Sequence, residues 1–481
     1  MHTTYAGGET LTAPYRVICR LICFTCFAFM TSGVPAQSFP PISLPPSEKF
    51  TTPMTVEDAV AYALHHNLAV TLAEQNVSIA QDQLSAARAG VRPSLALGVD
   101  STYTPGVTAV QVAGATVSGF TFSSTADAEV SEPLFPFSRL SAPVQAARAN
   151  ADGTREALAR TRQAVALQTR QAYYQLLIAQ DLRNVGLYAV EVAQGQLKLS
   201  QVTFAAGKAA QLDVLQAAST LANAQVALEG ARNNVDVSRA ALATQMGLPA
   251  GTPLAIVSPT TVPLAPPQVT ALVDEALAAR PDLLQVHYLQ RQLQAVLALT
   301  RVEELPRADL QAAFNQVLVG SSLLEAAGVS IGMNITFTAF DWGKARADVR
   351  AARTQLAAVD TTERQLTLST TQDVRSAWLL LRNATAQLTS AEKQFEAANE
   401  ALRIAEVRYR AGRGLYLEEQ QAYLSATQAL TSFSQATYQA HTAAAQLEFA
   451  IGAPLTLTVT PIPALTLTVP TPLQVPATPA P

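Results

Sequence analysis

Hydrophobic positions along the chain follow two periods. From Ala377 through Leu381, Ala384, Leu388, Ala391, Phe395, Ala398, Leu402 and Ala405 to Tyr409 they are spaced 4-3-4-3. A 3.5-residue repeat predicts a helix that supercoils left-handedly with a partner. Alanine alternates with larger residues, so the two helices approach closely. This helix is predicted over Lys344–Ala411. A second proline-free stretch, from Pro143 to Ala206, spans 64 residues, enough for a helix of roughly 96 Å. A turn is predicted at Gly207–Gln211, then a return helix over Leu212–Met246. Earlier in the chain, Thr55-Val-Glu-Asp58 has the form of a capping box. The helix it opens runs to about Val91, with a break near Asn67. The stretch Leu68–Val91 and the return helix sum to 59 residues, close to the 64 of the long helix. Two short helices stacked end to end therefore flank one long helix.

Elsewhere the period is two. Phe120, Phe122, Ala126, Ala128 and Val130 alternate with Thr121, Ser123, Thr125, Asp127 and Glu129. Val329, Ile331, Met333, Ile335 and Phe337 alternate with small or polar partners. Leu95–Tyr103 and Leu310–Leu318 alternate more weakly. Each segment has the length of a tilted strand crossing a bilayer. A half-buried strand of a soluble sheet shows the same alternation, but the very long helices beside these strands argue against that setting.

The chain repeats itself. A shift of 213 aligns Ala63-Leu64 with Ala276-Leu277, Pro93 with Pro306 and Leu97 with Leu310. A shift of 205 aligns Phe135 with Phe340, Ala146-Ala147-Arg148 with Ala351-Ala352-Arg353, and Tyr173 with Trp378. It also brings Gly207 onto Gly412, and Gly247 and Pro249 onto Gly452 and Pro454. Matched glycine, proline and aromatic positions separate this from chance similarity of alanine-rich helices. The eight-residue change of shift demands a longer loop in the first half, between about 97 and 135.

Composition adds boundaries. Residues 1–36 read as a signal peptide, with Arg16 and Arg20 before the apolar run Leu21–Met30 and cleavage after Ala36. Cys19, Cys23 and Cys26 all lie within it, so the remainder holds no disulfide or thiolate site. A proline-rich linker (37–53) precedes the first repeat (54–249, strands about 94–104 and 119–132). A second linker (250–266) precedes the second repeat (267–454, strands about 308–319 and 328–340). A Pro/Thr-rich tail (455–481) follows, and both ends are expected to be poorly ordered. Net charge is −4, which excludes a basic nucleic-acid footprint. Beyond residue 36 no run of 18 apolar residues exists, which excludes a helix-spanning transporter.

Four strands cannot close a barrel, and an open edge in lipid leaves backbone groups unpaired. Membrane barrels need at least about eight strands. Eight are filled by their own side chains, so a conducting barrel favours three chains and twelve strands. The expected fold is mainly α with a membrane β-barrel: duplicated long α-helical hairpins, four strands per chain, and a trimeric 12-stranded barrel continuing into an α-helical tunnel.

At the strand-to-helix junctions stand Ser131-Glu-Pro-Leu-Phe135 and Thr338-Ala-Phe-Asp-Trp-Gly-Lys344. At the turns stand Phe204-Ala-Ala-Gly-Lys-Ala-Ala-Gln-Leu-Asp-Val-Leu215 and Arg408-Tyr-Arg-Ala-Gly-Arg-Gly-Leu-Tyr-Leu-Glu-Glu419. With the doubled layout, these segments resemble the TolC-like outer-membrane efflux protein family from about Thr55 to Pro454. The resemblance implies a homotrimeric channel-tunnel in the outer membrane that extends into the periplasm. It also implies a periplasmic adaptor protein and an inner-membrane pump of the RND, ABC or MFS type, serving efflux or type I secretion. Outer-membrane lipid is a further partner, and nucleic acid is not.

The two turns would then form the periplasmic tip, with Gly207 and Gly412 where the chain reverses. The family pattern implies a gate bond between Tyr409 and Asp213; Tyr409 is equally the last core knob of the coiled coil. Asp213 and Glu418 each follow a tip glycine by six residues. The pattern's arginine, two residues past the second glycine, is here Gly414, with Arg413 one step earlier. Its constricting acidic ring falls on Gln421. A neutral ring weakens cation binding at the mouth, so no strong cation site is expected there. Phe135, Phe137, Phe340 and Trp342 read as a periplasmic-side aromatic belt or as core packing. Asp100, Asp127 and Glu129 are candidate pore-lining acids. His65 and His66 are adjacent and face different sides of a helix, without the spacing of metal ligands.

The sequence holds no nucleophile elbow, zinc-protease or phosphate-loop motif. No enzyme activity, cofactor or metal is expected. The competing reading is a secreted periplasmic coiled-coil adaptor or scaffold, which would share the hairpins but lack four alternating strands. The cargo is not legible in the sequence.

Overall fold

A computed structural model describes residues 53–105, 110–112, 115–117, 120–207, 210–266, 268–319, 328–410, 413, 416–454 and 458–461. The expected signal peptide, Gly412 and most of the proline-rich tail lie outside these residues. Helix α1 (Val56–His66) starts on the expected box: the Asp58 N–H donates to Thr55 Oγ1 at 3.2 Å, and the Thr55 N–H donates to the Asp58 carboxylate at 3.1 Å. Asn67 ends α1 with extended backbone and opens α2 (Leu68–Ala89) by accepting the Ala69 N–H at 2.8 Å. The break near Asn67 is thus one residue capping two helices. Helix α3 (Phe137–Ala205) is 69 residues long and starts before the predicted Pro143, which sits inside its second turn. Helix α4 (Gln211–Gln245) returns along it. The second half repeats this layout with α5 (Val269–Ala279), α6 (Pro281–Arg301), α7 (Lys344–Arg410) and α8 (Tyr416–Ile451). Pro281 takes the first position of α6, where a missing N–H costs nothing.

The helices stand as four columns. Helices α2 and α4 pack end to end along α3; α6 and α8 pack end to end between α3 and α7. The 3.5-residue seam explains the last pair. Ala377, Leu381, Ala384, Ala391, Phe395 and Leu402 of α7 are buried, facing Tyr423, Ala426, Ala429, Phe433, Ala436 and Ala440 of α8.

Both end-to-end junctions depend on a left-handed glycine. Gly247 has φ 80°, and a Cβ there would lie 2.3 Å from the His66 carbonyl oxygen. Gly452, its repeat mate, also has φ 80°, and a Cβ would lie 2.9 Å from the Arg280 side chain. Each glycine lets one helix end pass against the start of the next.

The strands are β1 (Ser94–Pro105), β2 (Val110–Val112), β3 (Ala115–Val117), β4 (Phe120–Phe135), β5 (Thr261–Pro263), β6 (Arg307–Val319), β7 (Gly328–Thr336) and β8 (Val459–Pro461). Four of them form one antiparallel sheet in the order β1-β4-β6-β7. The longer loop of the first half contains the β2–β3 hairpin. Strand β7 stops at Thr336, short of residue 340, because the chain turns there into the cap of α7. The start of the tail differs from the expectation of poor order: β8 pairs antiparallel with β5 in the second linker. That pairing joins segments far apart in sequence, so local composition gives no sign of it. Among the described residues no helix is long and apolar enough to cross a membrane.

Candidate functional site

The register of the sheet sorts its faces. Residues opposite each other in an antiparallel ladder share a face. Leu95 pairs with Val130, Leu97 with Ala128 and Val99 with Ala126. Val130 in turn meets Ala312, and Ala128 meets Phe314. Ala312 meets Ile331, Phe314 meets Val329, and Leu310 meets Met333. One face is therefore apolar across all four strands. Among the described residues nothing covers it: Leu97 is 77% exposed, Ile331 75% and Val329 74%. The other face carries Asp100, Asp127 and Glu129 with Asn315, Ser330 and Asn334. Asp127 lies over Gly98, where a Cβ would fall 2.6 Å from its carboxylate. Strands β1 and β7 are the sheet's edges.

The foot of the sheet holds the expected aromatics. Phe340 and Trp342 meet edge to face at 4.8 Å. Phe135 ends β4 half exposed, and the Phe137 side chain lies outside the described residues. Trp342 (φ 57°) and Gly343 (φ 85°) are both left-handed. Asp341 holds this turn by accepting the Gly343 N–H at 2.8 Å and the Ala345 N–H at 2.7 Å. Those two bonds hold its carboxyl below the usual carboxylate range.

At the opposite end, Gly207 (φ 71°) donates to the Phe204 carbonyl at 2.9 Å and reverses the chain after α3. Asp213 accepts the Ala210 N–H at 3.1 Å, so it caps the first turn of α4. Arg413 is exposed and donates its N–H to the Arg408 carbonyl at 2.9 Å. Glu418 and Gln421 are exposed in the first turns of α8. The Tyr409 side chain and Gly412 lie outside the described residues. Tyr188 of α3 and Tyr423, two turns into α8, lie 5.5 Å apart between ring centroids.

A third constellation, at mid-height, escaped sequence reasoning. The Tyr173 hydroxyl lies 2.8 and 2.6 Å from the Met54 and Val257 carbonyls, which share its one proton, and it accepts the Val257 N–H at 3.1 Å. Its repeat mate Trp378 donates to the Pro266 carbonyl at 2.8 Å. In both halves one aromatic polar group thus ties the 250–266 linker to the long helix. Asn67 donates to the Gln245 carbonyl at 2.7 Å. The residue 213 positions later, Arg280, reaches the Ala450 carbonyl, 205 positions after Gln245, at 3.4 Å. Arg280 is only 3% exposed and also binds Asp282 at 2.6 Å and Asp373 at 3.2 Å. Burial opposes ionisation of Asp282, but the hydrogen bonds and charge of Arg280 hold its carboxyl low. The aligned shifts carried the signal for these pairs; the chemistry differs between halves, so residue identity hid it.

Among the described residues no cluster of three or more His, Cys, Asp or Glu has the arrangement of a metal site. His66 instead stacks on Tyr62 at 4.0 Å.

The sequence profile of outer membrane efflux proteins matches residues 60–248 and 272–453. The chain belongs to the outer membrane efflux protein family. Members are channels of the outer membrane and not enzymes. No curated protein sequence matches the chain. Solved structures share the fold. The CmeC outer membrane channel of Campylobacter jejuni has TM-score 0.70 and 17% identity, over 82% of this chain and 85% of that one. VceC of Vibrio cholerae has TM-score 0.70 and 18% identity, over 83% and 96%. The open state of the Neisseria gonorrhoeae MtrE outer membrane channel has TM-score 0.66 and 20% identity, over 83% and 89%. The four-stranded sheet and the family match remove the soluble coiled-coil scaffold as an alternative for this efflux protein.

Proposed function

We propose that three copies join their sheets edge to edge into a twelve-stranded barrel, continued by twelve helical columns. The trimer is then the passive exit duct of a tripartite efflux or type I secretion system, fed by an inner-membrane pump through a periplasmic adaptor. The observation that carries this reading is the sheet: one face apolar and uncovered, and two edges, β1 and β7, that a single chain leaves open. Lipid accepts the apolar face, and only closure satisfies the edges. The helical wall supports the same closure. Its outer columns expose Leu68, Leu72 and Val226 on α2 and α4, and Leu368 and Leu379 on α7. Those stripes meet when neighbouring copies stand side by side. Asp100, Asp127 and Glu129 then line the lumen, and the aromatics at the foot lie at the membrane's periplasmic boundary. Asp213 and Tyr409 form the closed gate at the tip.

Protein purified from outer membranes tests the reading. It should migrate as a trimer when unheated and as a monomer when boiled, and it should conduct in a planar bilayer. Cysteines introduced in β1 and β7 should cross-link between copies, since no cysteine follows Cys26. A water-soluble monomer, or cross-links confined to one copy, would overturn it.

A further inference from the structure

At the foot of the sheet a cavity of about 680 Å³ opens between the starts of α3 and α7 and the end of α6. Arg139, Arg307, Lys344 and Arg346 line it together with Glu303 and Glu304. Two of the cations are already matched: Arg307 pairs with Asp309 at 2.7 Å, and Lys344 with Asp348 at 2.9 Å. Arg139, Arg346, Glu303 and Glu304 form no ion pair among the described residues. Asp341 also lines the cavity, its carboxylate held by the Gly343 and Ala345 N–H groups, and the charge of Glu303 acts on Lys344. One cavity thus presents two guanidiniums and two glutamate carboxylates outside any ion pair among the described residues. Its rim is apolar. Phe337 continues the alternation of Met333 and Ile335, lines the cavity and is 62% exposed. Phe340 also lines it, and beside Phe340 stands Trp342, 90% exposed on left-handed backbone that bulky residues rarely adopt. An aromatic held out this way contributes nothing to its own chain's core, which is the pattern of a residue placed for an outside partner.

We propose that this cavity binds the headgroup of a zwitterionic phospholipid of the inner leaflet. Its phosphodiester lies on Arg139 and Arg346, its primary ammonium on Glu303 and Glu304, and its acyl chains run along Phe337 onto the apolar sheet face. The balance of charge decides the class. An anionic headgroup would gain from the arginines and be repelled by the glutamates, whereas one carrying both charges matches both pairs. Below the last ladder pair, Arg307 with Thr336, the sheet no longer separates its faces. Charges from either side therefore reach one headgroup. The inference rests on the orientation proposed above, with the foot of the sheet at the periplasmic leaflet.

Delipidated trimer, titrated with phosphatidylethanolamine, phosphatidylglycerol or soluble phosphoethanolamine and read by native mass spectrometry, tests it. Phosphatidylethanolamine should remain bound at one per chain, about tenfold more tightly than phosphatidylglycerol. Arg139→Ala with Arg346→Ala should lose about that factor. Glu303→Gln with Glu304→Gln should turn the preference toward phosphatidylglycerol; this pair keeps its size and serves if the arginine variant fails to fold. Equal binding of the two lipids, or indifference to both double variants, overturns the proposal. Soluble phosphoethanolamine competing as well as the lipid overturns its assignment to a membrane ligand. A chain that never inserts defeats the channel reading; a conducting trimer blind to headgroup charge defeats this proposal alone.

Discussion

Gly247→Ala is the sharpest probe of how the short helices stack. The residue sits at φ 80°, and the new Cβ would lie 2.3 Å from the His66 carbonyl oxygen and 2.9 Å from its carbon. An L-residue in left-handed backbone costs about 1–2 kcal/mol. The obstructing atoms are backbone, so they cannot swing aside as a side chain would. Moving them separates Asn67 from the Gln245 carbonyl, a 2.7 Å bond at the same junction worth about 1 kcal/mol net. The sum is a destabilisation of roughly 2–3 kcal/mol. Gly195→Ala is the control. Gly195 lies inside α3, with no atom within 4 Å of its would-be Cβ. There alanine should stabilise by about 0.5–1 kcal/mol through helix propensity. Denaturant midpoints followed by circular dichroism at 222 nm on the purified variants should move in opposite directions. If Gly247→Ala unfolds together with wild type, or both variants move alike, the α2–α4 junction is not built on this glycine.

Three further variants have checkable outcomes. Tyr173→Phe removes a hydroxyl that serves three backbone groups of the linker, two carbonyls and one N–H. It should cost about 1–3 kcal/mol and speed amide exchange at Val257, read by hydrogen-exchange mass spectrometry. His441 is half-buried against Tyr174, at 5.0 Å between rings. Burial pushes its pKa down to about 4, partly opposed by its bond to the Thr261 backbone. A histidine depressed in the folded state leaves the unfolded chain binding more protons between about pH 6.5 and that value. Stability is therefore complete above pH 6.5 and falls as pH drops toward 4, by up to about 3 kcal/mol; His441→Gln should flatten that slope, and an unchanged slope would remove His441 as its source. For the gate, Tyr409→Phe should raise the resting single-channel conductance in planar bilayers, and conductance equal to wild type would free Tyr409 from that role.

The local elements were largely legible because each leaves its period in the chain. The seam from Ala377 to Tyr409 marked α7, and six residues along it are buried against α8, with Leu388 and Ala398 partly buried beside them. Alternation marked β7 down to which residues share its exposed apolar face. The capping box at Thr55 and the reversal at Gly207 were visible for the same reason: cap and turn chemistry is decided by a few adjacent residues. Proline-rich segments misled, because a linker and a lone strand of three residues look alike until their partner is known. Strand β8 is such a case, paired with β5 across some two hundred residues.

What the amino-acid order determined alone is therefore the parts and their duplication: two long helices, their short companions, and four strands with one greasy side. Tertiary structure decided how those parts are joined. It set α6 and α8 between α3 and α7. It gave Asn67 in one half and Arg280 in the other repeat-equivalent carbonyls to hold, those of Gln245 and Ala450, and it gathered Arg139, Glu303 and Arg346 around one cavity. The reason is range. Periodicity and capping act over a few residues and are written in neighbouring letters. A buried guanidinium or a glycine under a distant carbonyl depends on which chain segments meet, and that is settled only when the columns pack.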